Sequence, residues 1–84
     1  MTWVMFTWRA MGVTGKRAKD YERLYKGLIG VAERNIDPEH IWDGLRVLME
    51  WIDGIPPAKT VAGELRREQY VIIPALERIG DMIA

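Results

Sequence analysis

The sequence predicts an all-α fold, a small three- to four-helix bundle ending in a long C-terminal helix kinked at Pro74. Three observations carry this expectation. Apolar residues recur at i, i+3, i+4 and i+7 through most of the chain, the repeat of one helix face. Turn signals at Gly12, around 35–37 and at 54–57 cut the chain at helix-sized intervals. The mass is 9.7 kDa, and a folded chain of that size exposes roughly 5,100 Å², enough for one core and one domain over residues 1–84.

The first segment, residues 2–11, fits two conformations. Val4, Trp8 and Met11 share a helical face with Gly12 suited to the C-terminal cap, whereas Val4, Phe6 and Trp8 share one face of a strand. It is read as a short helix or an extended arm. The next helix is expected over 15–34, where Tyr21, Leu24, Tyr25, Leu28 and Ala32 form the buried stripe and Asn35 ends the run. Asp37-Pro38-Glu39-His40 then reads as a helix start: Asp37 caps, Pro38 takes the first position because it has no N–H to leave unpaired, and Glu39 complements the helix dipole. This helix should reach Asp53, ended by Gly54 and Pro56-Pro57. The last begins at Thr60 as N-cap, and Val61, Leu65, Ile72, Leu76, Ile79 and Ile83 fall within a wedge of about 60° at 100° per residue. That stripe runs through Pro74 without changing phase, so one kinked helix is preferred to two.

Composition narrows the function classes. There is no cysteine, no serine and one histidine, His40. Disulfides, thiolate zinc sites and Ser- or Cys-based nucleophiles are therefore excluded, as are paired-histidine metal sites. Asp37, Glu39, His40 and Asp43 cluster at a helix start, but capping and dipole effects account for the acids and their spacing matches no metal motif. Neither catalytic residues, metal nor cofactor is expected. No apolar run approaches the ~18 residues of a membrane span and no secretory signal opens the chain, so a cytoplasmic protein is expected.

Two surfaces remain as candidates. The 38–53 helix has a core stripe of Ile41, Trp42, Leu45, Leu48, Met49 and Ile52, and on its other side His40, Gly44, Val47 and Trp51. One flat layer cannot bury both sides, so either the helix is wrapped by the others or the second side binds a partner. Gly44 permits close approach and Trp is enriched in binding hot spots. Trp3, Phe6 and Trp8 offer a second apolar source. The other candidate is electrostatic. The twelve basic and twelve acidic side chains cancel overall, yet residues 1–34 carry +4 and residues 35–84 carry −4. Lys16, Lys19, Arg23, Lys26 and Arg34 line one edge of the first helix, with Gly27 and Gly30 beside them, as for an acidic partner or a phosphate backbone.

The expected function is a non-enzymatic protein–protein interaction module: a small regulator or inhibitor, antiactivator-like, that masks a partner protein or forms a homodimer. The alternative is a DNA-binding transcriptional regulator, using the basic edge or a helix-turn-helix formed by 60–67 and 70–80. Against it, the second of those helices would open on Tyr70-Val71-Ile72-Ile73-Pro74, too apolar to read base edges.

Overall fold

The computed structural model describes Trp8 and residues 12–84. The described part is all-α: α1 (Gly15–Asn35), α2 (Ile41–Asp53), α3 (Val61–Arg67), a π-helical segment (Glu68–Ile72) and α4 (Ile73–Ile83), with no strand among the described residues. Its Cα atoms span 40 × 27 × 15 Å, a flattened shape. α1 lies in the middle: α2 packs on one side of it, the π segment and α4 on another, and α2 and α4 touch each other little.

The α1 sequence dictates that central place. Tyr21, Tyr25, Leu28, Ile29, Val31 and Ala32 are all buried, a stripe wide enough to serve two neighbours. Against it close Leu48 from α2, and Val71, Ala75 and Ile79 from the C-terminal helix. Gly12 turns the chain into this helix with φ 82°, the left-handed region that glycine enters without a Cβ clash.

α2 starts later than the sequence suggested. Residues 37–40 form a turn rather than a first helical turn. The Asp37 Oδ1 accepts from the Glu39 N–H at 3.0 Å, and the Asp37 carbonyl from the His40 N–H at 3.0 Å. Asp and Asn side chains compete for nearby backbone N–H groups in this way, and here the turn wins. His40 takes the N-cap position instead, its carbonyl accepting from the Gly44 N–H.

At Thr60 the cap is as expected, its Oγ1 accepting from the Gly63 N–H at 3.0 Å. The loop before it is strapped to α3: the Glu64 carboxylate accepts from the Ala58 N–H, and the Arg67 guanidinium donates to the Pro56 carbonyl at 2.6 Å.

At the position of the expected proline kink, the chain contains the π segment. Both flanking residues keep right-handed helical dihedrals, and the Ile73 N–H bonds five residues back to Glu68. The cause lies in Pro74, which offers no N–H to the Tyr70 carbonyl four residues back and whose ring crowds it. The Trp8 indole N–H fills that vacancy, donating to the Tyr70 carbonyl at 2.9 Å. Trp8 is 2% exposed and meets Tyr21 and Tyr25 edge-on at centroid distances of 6.0 and 6.2 Å. It is a core residue, which corrects the expectation that it lends itself to a partner. Trp3 and Phe6 lie outside the described residues.

The π segment also corrects the phase of the last helix. A π turn holds an extra residue, and at about 100° per residue the two ends fall out of register. Of the expected core stripe Ile79 is buried and Ile72 half-buried against the core, joined by Val71 and Ala75, while Val61, Leu65, Leu76 and Ile83 are exposed.

Candidate partner-binding groove

The expected interface face of α2 is the face that meets α1. Gly44 is buried at the helix crossing, where an added Cβ would lie 2.9 Å from the Ile36 Cα and 2.8 Å from the Asn35 carbonyl carbon. Val47 is half-buried against the core. Trp51 is 37% exposed and laid over Gly27 of α1, its indole atoms 3.0 and 3.2 Å from where a Cβ at Gly27 would stand. His40 is exposed at the start of the helix, its Nδ1 3.6 Å from the Asp37 carboxylate. Gly44, Val47 and Trp51 therefore lie along the helix–helix junction, with Gly44 and Gly27 as the two points of close approach, while His40 stays in the exposed turn before it.

Turning that side inward turns part of the expected core stripe outward. Leu48 stays in the core and Ile41, Leu45 and Ile52 are half-buried, but Trp42 is 80% and Met49 53% exposed. Facing them across a gap are Leu76, Gly80 and Ile83 of α4, and Leu48 and Ile79 form the floor. The result is an open groove of about 570 Å³, apolar along most of its lining, with Arg46 at its rim. At Gly80 its wall is notched: a Cβ there would meet nothing within 4 Å. The groove exists because α2 and α4 both lean on α1 and not on each other.

Sequence reasoning assigned these groove residues to the core because each stripe is correct for a helix face. A signal was present in the counts. α2 and α4 each carry more apolar faces than a chain with one central helix can cover.

The basic edge of α1 is solvent-exposed along its length at Lys16, Lys19, Arg23, Lys26 and Arg34. Lys26 pairs with Glu22 at 3.0 Å, and the Arg34 guanidinium folds back over Gly30. Gly27 and Gly30 are thus occupied by Trp51 and Arg34, which corrects the idea that they leave room for a ligand backbone. The proposed helix-turn-helix has no turn, since helical dihedrals run unbroken through 67–73 and the motif requires one.

Among the described residues no group of three or more His, Asp or Glu side chains is placed to hold a metal ion. No described helix is long and apolar enough to cross a membrane. No protein-family model, curated protein or solved structure matches the chain.

Proposed function

We propose that the chain is a non-enzymatic protein–protein interaction module, a small antiactivator-like regulator or inhibitor that masks a partner protein, without cofactor and in the cytoplasm. The observation that carries this reading is the α2–α4 groove, where Trp42 and Met49 stand open to water beside Leu76 and Ile83. Large contiguous apolar surface is costly to leave hydrated and marks interaction sites in soluble proteins. Trp42 is the most exposed large hydrophobic side chain among the described residues, and tryptophan carries a disproportionate share of binding energy when a partner covers it. In this proposal the two helical arms packed on α1 are an incomplete bundle that a bound segment completes.

Affinity capture from the native host, run in parallel with the wild-type chain and Trp42→Ala, tests the reading. The expected result is a protein retained by the first and lost from the second, with cross-links mapping to α2 and α4. Retention of the same proteins by both chains would sink it.

A DNA-binding role retains one supporting feature, the exposed Lys16, Lys19 and Arg23 on α1. It requires duplex binding that falls steeply with salt and weakens in Lys19→Ala and Arg23→Ala; absence of such binding at low salt removes it.

A further inference from the structure

Trp8 is held in the core by more than volume. Its ring meets Tyr21 and Tyr25 edge-on, contacts that fix orientation as well as fill space. Tyr21 in turn lies tilted against Tyr70 at 6.4 Å, so the ring contacts and the Tyr70 backbone belong to one cluster.

The polar demand of this place comes from the chain itself. Pro74 has no N–H for the Tyr70 carbonyl, and the Trp8 indole N–H supplies the bond at 2.9 Å. An ordinary core position selects its occupant by size and shape. Here a donor is needed too, because an occupant without one leaves a part-buried carbonyl unpaired. A flat apolar bicycle with one N–H and no acceptor meets both demands, and that is indole.

Trp8 reaches this place through a short turn. The Val13 N–H donates to the Trp8 carbonyl at 2.8 Å across Gly12, and Gly15, at φ 66°, opens α1 directly after. Val13 is itself buried, which pins the turn beside the cluster. The indole is thus delivered from within the chain, at an effective concentration that a free ligand does not match.

We infer that the core contains an indole-recognition site, set up by Pro74 at the π segment and closed by Trp8 as its built-in occupant, so that an indole compound fills it when the Trp8 side chain is absent. This site owes nothing to the groove or to a protein partner.

Full-length Trp8→Gly with free indole provides the test, and benzothiophene serves as a probe of nearly the same shape without the N–H. Indole should raise the thermal midpoint of Trp8→Gly in a saturable way and leave that of the parent chain unchanged, since the parent's site is full. In Trp8→Gly/Pro74→Ala a backbone N–H returns to position 74. The ratio of indole to benzothiophene affinity should then fall about tenfold, the worth of one hydrogen bond, or indole binding should be lost altogether. If Trp8→Gly is unfolded by itself, indole should restore its helical circular dichroism. No response of Trp8→Gly to indole, folded or unfolded, overturns the inference. So does an equal response of the parent chain, which would put indole elsewhere, or an affinity ratio that Pro74→Ala leaves unchanged.

Discussion

Single atoms decide much of this fold. Gly44 has no Cβ, and that absence lets α2 cross the C-terminal end of α1 backbone to backbone. Gly44→Ala should therefore destabilise the chain by about 3 kcal/mol, read as a shifted urea midpoint, because the clash is with main chain that cannot move aside alone. Trp8 and Pro74 form a second such pair at long sequence distance. The proline removes the donor that the Tyr70 carbonyl would have had, and the indole supplies another. Trp8→Phe should cost about 2 kcal/mol, combining a lost hydrogen bond with a part-buried carbonyl left unpaired. In a Pro74→Ala background the backbone N–H returns, so the cost of Trp8→Phe should fall by about 1 kcal/mol; strictly additive losses in that double-mutant cycle would show the coupling absent. Trp42 stands at the other extreme. Its substitution by alanine should leave stability within about 0.5 kcal/mol of the parent, since its ring is mostly in water.

Helix positions were legible in the sequence to within a few residues for α1, and the Thr60 cap was legible as such, because periodicity and capping are local signals. What the local pattern could not carry was rotation. The apolar residues of α2 occupy more of its circumference than one neighbour covers, so periodicity alone admits either side as the inner one. Gly44 on α2 and Gly27 on α1, one at the backbone crossing and one under the Trp51 ring, select the side. Reading those glycines as gaps for a ligand instead of seats for a helix and a tryptophan reversed the assignment. The last helix failed for a different reason: a continuous 100° phase was carried through Pro74, where the π segment holds an extra residue. Deleting Gln69 should convert 68–72 to regular α-helix and rotate α3 by about 100° relative to α4. Glu64 and Arg67 would then swing away from the 56–58 loop they hold. Faster proteolysis at that loop is the expected readout, with the gain of α3 regularity visible in backbone chemical shifts.

At the scale of the molecule, the charge halves and the groove belong to different faces. The positive excess resides mainly on α1, while the groove is walled by α2 and α4 and lined almost wholly by apolar side chains. The two candidate surfaces are thereby separable by mutation: Lys19→Ala with Arg23→Ala should leave groove binding unchanged within about twofold. The central position of α1 has a consequence for motion as well. Two arms that rest on a common helix, and scarcely on one another, can detach one at a time. Amide hydrogen exchange should consequently be graded, slowest at Leu28 and Ala32 on α1, and faster on α2 and α4, each of which opens without waiting for the other. A bound segment touching both arms would tie their openings together, slowing exchange on α2 and α4 in concert while leaving α1 at its ceiling.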